Sequence, residues 1–226
     1  MNLWADFLTN KQRVIHKWKH YFPVYERHFG AWRDRSLVFI EIGAGNGGSL
    51  QMWKRYFGPN ATIIGIDNRE ECKNFEEDQI EIRIGSQQDH SFLKKVVDEF
   101  GQPDIVLDDG SHIMEHISAS FEFFYPLVTK NGVYMVEDLH TCYWDEFGGG
   151  LGNPSTFIEI SKNLIDKLNA EHTRGVLSPD QFTATTLSMH FYDSMIVFEK
   201  GTHTKKFAPR IGASSSLGQR LEGLFK

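Results

Sequence analysis

PDIVLDDGSH, residues 103–112, sets the fold: a short apolar run, Ile105-Val106-Leu107, ends in two acids, a glycine and a serine, with His112 close behind. An unbroken apolar run of this length reads as a strand buried on both faces, as in a parallel sheet. GVYMVEDLH at 132–140 repeats the plan with Glu137, Asp138 and His140. Ligands of an open parallel sheet bind at the carboxyl ends of its strands, so both doublets are predicted to meet at one functional rim. Like charges there repel, and a divalent cation relieves the repulsion while leaving every acid ionised. All-oxygen donors point to magnesium, manganese or calcium rather than zinc. One Asp-Asp pair would more often cap the next helix or face water. Two doublets, each with a histidine nearby, favour a metal.

Outward from these strands, apolar runs alternate with segments of helical period. LVFIEIG (37–43) is a first strand, followed by a stripe of Leu50, Trp53 and Phe57 that stops at Gly58-Pro59. ATIIGID (61–67) is a second strand, and IEIRIG (80–85) a third, half buried and toward an edge. Leu93, Val96, Val97 and Phe100 mark a helix closed by Gly101 and Pro103, and Ile117, Phe121, Phe124 and Leu127-Val128 another. LSMHFY and SMIVFEK, separated only around Asp193, permit an antiparallel hairpin and no helical crossover. The expected fold is therefore α/β, a doubly wound, mostly parallel seven-stranded sheet ending in a hairpin. Residues 1–34 precede it as a helical segment, 35–201 form the main domain, and 202–226 read as a tail. There is no internal repeat.

The 226 residues carry a formal charge of -6, which argues against a phosphate-backbone grip and hence against nucleic acid as partner, although Lys205, Lys206 and Arg210 cluster near the end. Cys72 and Cys142 are too few for a disulfide framework and suit a reducing compartment, so a cytoplasmic location is expected. Charged residues through MNLWADFLTNKQRVIHKWK interrupt any secretory core, and no stretch is apolar enough to span a membrane.

EIGAGNGGS (41–49) fits G-x-G-x-x-G through Gly43, Gly45 and Gly48, between a strand and a helix, with Ser49 at its end. Asp67 closes the second strand at the spacing of a ribose-binding acid. A nicotinamide-dependent oxidoreductase would offer the same features, and a tight turn alone would need the glycines. Glu41 separates these readings: an acid two residues before the first glycine suits the cationic S-adenosylmethionine better than a pyrophosphate.

With these features the chain resembles the class I S-adenosylmethionine-dependent methyltransferases over roughly residues 35–200. More narrowly, HYFPVYERHF, LDDGSH and VEDLHTCYW with the following glycines are similar to the magnesium-dependent sugar O-methyltransferases of macrolide biosynthesis, of the mycinamicin and tylosin type. The resemblance implies that Asp109, Glu137 and Asp138 bind Mg2+ or Mn2+, that His112 is the general base, and that Glu41, the glycines and Asp67 hold the methyl donor. Asp108 would face the cofactor side, and Ser86 and Gln87 would read the adenine. The segment before the first strand would close over the methionine end of the donor. There Tyr21 is a candidate contact, while Trp18, Phe22, Tyr25 and Phe29 read mostly as an aromatic face packed on the sheet. Some macrolide enzymes carry a further N-terminal domain that helps to shape the acceptor pocket and is not seen in this sequence.

The chemistry expected is transfer of a methyl group to a sugar hydroxyl of a glycosylated natural product or polysaccharide. The metal would bind vicinal hydroxyls of a small-molecule or glycan acceptor and stabilise the alkoxide, and His112 would take the proton. His140 is the candidate for positioning the acceptor, and Tyr143, Trp144 and Gly148–Gly152 suggest a substrate loop. A catechol-like diol acceptor, an NAD(P)-dependent oxidoreductase and a non-catalytic donor-binding module are the alternatives. A homo-oligomer is left open.

Overall fold

In a computed structural model that describes residues 2–204 and 206–212, β1 (Leu37–Ile42) lies inside the sheet, hydrogen-bonded in parallel to β2 (Ala61–Asp67) and to the central strand β4 (Ile105–Asp108). β3 (Ile80–Ile84) extends one side, and β5 (Val133–Val136) the other. The hairpin β6 (Thr186–Tyr192) and β7 (Met195–Lys200) completes the sheet antiparallel to β5, giving the order β3-β2-β1-β4-β5-β7-β6. β3 is an edge strand, as its alternating isoleucines predict.

Both faces of the sheet are covered. On one, α1 (Leu3–Leu8), α2 (Phe22–Phe29) and α3 (Gly48–Phe57) pack an aromatic core in which Trp53 meets Tyr25, Phe29, Phe39 and Phe57. On the other, α4 (His90–Phe100), α5 (Met114–Leu127) and α6 (Phe157–Leu168) cover Ile40, Val106, Tyr134 and Phe198. A short α7 (Gln181–Thr185), opened by an Asp180–Thr183 capping box, leads into β6. Helix boundaries follow local chemistry: Asp89 caps α4 by accepting from the Ser91 and Phe92 amides, and Gly58 and Gly101, at φ +85° and +90°, end α3 and α4.

α1, α6 and α7 are not evident from periodicity alone. Pro23 stands in the first turn of α2, and Phe22, Tyr25 and Phe29 form the expected buried face. Trp18 does not join it: half-exposed, it stands against His140. Of the tail, 202–204 and 206–212 form no helix or strand, Lys206 pairs with Glu171 at 3.2 Å, and the rest lies outside the described residues. Among the described residues no helix is long and apolar enough to cross a membrane.

Candidate active site

Side chains alternate across a strand, and this alternation sorts the acids at the rim. Phe39, Leu107 and Met135 face the α2–α3 core, so Glu41, Asp109 and Glu137, each two residues further along, are directed to the same side. Ile40, Val106 and Tyr134 face α5, and Asp108 follows Val106. Three acids thereby converge under the N-terminal segment, and one is sent beneath the sheet.

Lys17, which no sequence motif singled out, stands among the three. Its ammonium donates to Asp109 Oδ2 at 2.6 Å and Glu137 Oε2 at 2.9 Å, and lies 3.1 Å from Glu41 Oε1, with its side chain almost wholly enclosed. Burial alone would lower its pKa, but Asp109 and Glu137 hold it well above the ordinary lysine value. Burial raises the Glu41 and Glu137 carboxyls, against the pull of Lys17. The Lys17–Glu41 contact is electrostatic only: Ser49 donates to Glu41 Oε2 at 2.8 Å, while Glu41 Oε1 has no hydrogen-bond donor among the described residues.

Tyr21 and Tyr25 continue the same row. Tyr21 donates to Asp138 Oδ1 at 2.6 Å and Tyr25 to Glu137 Oε1 at 2.5 Å. Lys17, Tyr21 and Tyr25, four residues apart, thus hold Asp109, Asp138 and Glu137 from behind. The outer oxygens of Asp109 and Asp138 are left toward His112, whose Nε2 lies 3.9 Å from Asp109 Oδ1 and 3.8 Å from Asp138 Oδ2. Donor atoms of Asp109, His112 and Asp138 all fall within 4.8 Å of one another. The two carboxylates, oriented by hydrogen bonds at their far oxygens, fit a divalent cation, and the His112 imidazole stands beside them. Glu137 is not one of them, because both of its oxygens are taken by Tyr25 and Lys17. His112 and Asp138 also adopt left-handed backbone conformations, at φ +60° and +54°, a strain that concentrates at functional sites.

A cavity of about 520 Å³ runs from these residues along the glycine loop to Asp67, Ser86 and Gln87. Its size and mixed lining suit a nucleoside ligand. A side chain at Gly43, at φ +93°, would place Cβ 2.0 Å from the Asp109 carbonyl oxygen, and one at Gly48 would strike the Val14 carbonyl oxygen at 2.2 Å. These glycines let the acidic loop and the N-terminal segment close on the turn. Gly45 donates its amide to Asp67 Oδ2 at 3.0 Å. Asp67 also accepts from the Arg69 amide and side chain; these bonds outweigh its burial and keep its pKa low. Ser86 lines the cavity at an exposed turn. Gln87 is buried and ties the cavity wall inward, accepting from the Ser111 amide and donating to Asp108 and Ser120.

Asp108 was expected on the cofactor side and instead lies under α5, where Ser120 and Tyr134 donate to its Oδ2. Burial pushes its carboxyl up to about 6, against those hydrogen bonds. Its folded pKa therefore exceeds the ordinary 3.8, and the native state binds more protons between these values. The sign follows: as pH rises through this window Asp108 weakens the fold, by on the order of 2–3 kcal/mol when fully ionised. Urea unfolding at about pH 5 and pH 7 should show roughly half of this loss, on the order of 1 kcal/mol, in wild type and a flatter response in Asp108→Asn. Equal slopes would remove Asp108 as the cause.

His140 does not line the main cavity. Its Nδ1 lies 2.6 Å from Ser194 Oγ, its ring stands between Trp18 and Trp144, and it borders a neighbouring cavity of about 290 Å³ with Tyr143 and Asp193. Of the glycines after Trp144, Gly149 has a packing reason: a Cβ there would meet the Thr141 and Trp144 carbonyl oxygens at 2.6 Å.

The sheet order, the reversed seventh strand, the glycine loop after β1 and the acid ending β2 define the class I methyltransferase fold, and the chain is a member of that fold. More narrowly, its homologues are sugar O-methyltransferases of macrolide and tetracenomycin pathways. It is 36% identical over 190 residues to the 8-demethyl-8-alpha-L-rhamnosyl tetracenomycin-C 2'-O-methyltransferase of Streptomyces olivaceus, covering 80% of this chain and 50% of the relative. Demethylmacrocin O-methyltransferase of Streptomyces fradiae is 34% identical over 220 residues, 92% of this chain and 54% of the relative. The solved MycE methyltransferase of the mycinamycin pathway, in complex with Mg, SAH and mycinamycin VI, superposes with a TM-score of 0.78 at 33% identity, over 92% of this chain and 54% of that one. No family model matches the sequence. The chain spans about half the length of the curated relatives it matches.

Proposed function

We propose that this chain transfers a methyl group from S-adenosylmethionine to a sugar hydroxyl of a glycosylated small molecule or glycan, with a divalent cation, Mg2+ or Mn2+, at the acidic rim. The observation that carries the reading is the meeting of Asp109, His112 and Asp138 at the mouth of the cavity that begins at the glycine loop. The Streptomyces olivaceus relative acts on a rhamnosyl tetracenomycin, and MycE was solved with Mg, SAH and mycinamycin VI, which supports the same chemistry here.

Asp109 and Asp138 would hold the cation, with Lys17 fixing Asp109 and Tyr21 fixing Asp138 from behind. The cation, when bound, supplies charge stabilisation to a hydroxyl that loses its proton. His112 accepts that proton at Nε2, and the two carboxylates beside it stabilise the imidazolium that results. Glu41 is wholly buried behind the glycine loop with Lys17 at its Oε1, so it would act on the cationic end of the donor by its charge from beneath the turn, while Asp67 would receive the ribose hydroxyls, and Ser86 and the Gln87 backbone the adenine. Trp18, His140 and Trp144 stand where an acceptor sugar would find aromatic faces.

Calorimetry tests the donor half directly, with S-adenosylmethionine and S-adenosylhomocysteine, each with and without Mg2+, against NAD and NADP. Binding of the donor pair is expected in wild type, and Glu41→Ala should weaken it by about tenfold or more, the cost of one charge-assisted contact. Binding of a nicotinamide cofactor alone would overturn the reading.

A further inference from the structure

Away from the rim, His28 of α2, His190 of β6 and Glu199 of β7 come together where the N-terminal segment meets the hairpin. His28 Nδ1 is 2.9 Å from Glu199 Oε1, His190 Nε2 is 3.1 Å from Glu199 Oε2, and a donor atom from each residue lies within 4.8 Å of the others. We propose that these three side chains form a second metal site, for a zinc-class divalent ion, that fastens α2 to the β6–β7 hairpin.

The donor chemistry separates this site from the rim. Two imidazoles and one carboxylate suit zinc, cobalt or nickel, whereas magnesium prefers oxygen. Ligands about 2.0–2.1 Å from a tetrahedral ion stand roughly 3.3 Å apart, and one donor atom from each of the three residues lies within 4.8 Å of the others, so small side-chain adjustments bring them onto one ion. Orientation is built in as well. His28 is buried, and its Nε2 lies 2.8 Å from the Tyr192 hydroxyl, so the ring proton can rest there and leave the Nδ1 lone pair to the ion. His190 and Glu199 are each about one-third exposed, so an ion can enter and a water can complete its coordination. Ser188 Oγ, which donates to Glu199 Oε2 at 2.6 Å, steadies the carboxylate.

The test is Co2+ titration of the chelator-stripped chain in excess Mg2+, followed by visible absorption. One equivalent of a low-coordinate Co2+ signal is expected, displaced by Zn2+. Asp138→Asn should keep it, and His190→Gln and Glu199→Gln should each weaken it at least tenfold, with thermal unfolding of the metal-free variants confirming that they fold. Zn2+ should also raise the melting temperature of wild type and not of His190→Gln. Absence of saturable Co2+ binding, or binding lost in Asp138→Asn and kept in His190→Gln, would overturn the proposal and leave the cluster as a hydrogen-bonded clasp. Donor binding to the main cavity is untouched by either result.

Discussion

Lys17→Met is expected to lower the unfolding free energy of the metal-free chain by about 3–5 kcal/mol, the cost of removing one partner from a buried ion pair. Methionine keeps most of the lysine stem, so the loss is of charge and not of packing. What remains is Glu41, Asp109 and Glu137 beneath Tyr25, with no cation among them. Such a cluster stays folded only by taking up protons, so the variant should recover stability toward acid pH. Mg2+ should stabilise it more than wild type, because the divalent ion then supplies the only compensating charge at Asp109. Chelated urea unfolding, repeated with Mg2+, measures both effects. A loss below about 1 kcal/mol, the range of an exposed pair, would show that the ammonium does not hold these acids.

His112→Asn should reduce methyl transfer by about 10²–10⁴-fold, the usual contribution of a positioned general base, and leave S-adenosylhomocysteine binding unchanged. Asparagine is chosen because it tolerates the left-handed backbone that His112 adopts, so a loss of rate cannot be assigned to a disturbed loop. The variant can still offer an oxygen to a cation but cannot take a proton near neutral pH. Rates with an acceptor that wild type turns over, beside calorimetry on both proteins, separate the two roles. A loss smaller than about tenfold would place the base elsewhere, and His140 would be the next residue to replace.

Much of this architecture is legible in the residues because it depends on local periodicity. The unbroken apolar runs give β1, β2, β4 and β5, the Gly58 and Gly101 stops give the ends of α3 and α4, and the two closely spaced runs at the end give the hairpin. The rim itself follows from the strand ends. Lys17 is illegible for a physical reason: it lies in a basic stretch, RVIHKWKH, and its partners stand 92 and 120 positions away, so no spacing marks it. Tyr21 is found hydrogen-bonded to Asp138, and Trp18 leaves the aromatic face it was read into, because the chain turns through a 3-10 segment at Lys19–Tyr21 before α2 begins. α6 and α7 follow a loop whose glycines serve close packing at Gly149 and left-handed turns at Gly148, Gly150 and Gly152, and carry no helical signal.

Asp108 and Asp109 are the same letter written twice, yet one is anchored under α5 and the other opens onto the cavity. The difference between them is parity. An insertion or deletion of a single apolar residue in β4 would swap the faces to which they point, leaving the charge and the doublet itself unchanged to any reader of the text while turning the working acid inward and its silent twin outward. Drift at this position is therefore tolerated only in steps of two. The doublet preserves its meaning through counting, as a reading frame does.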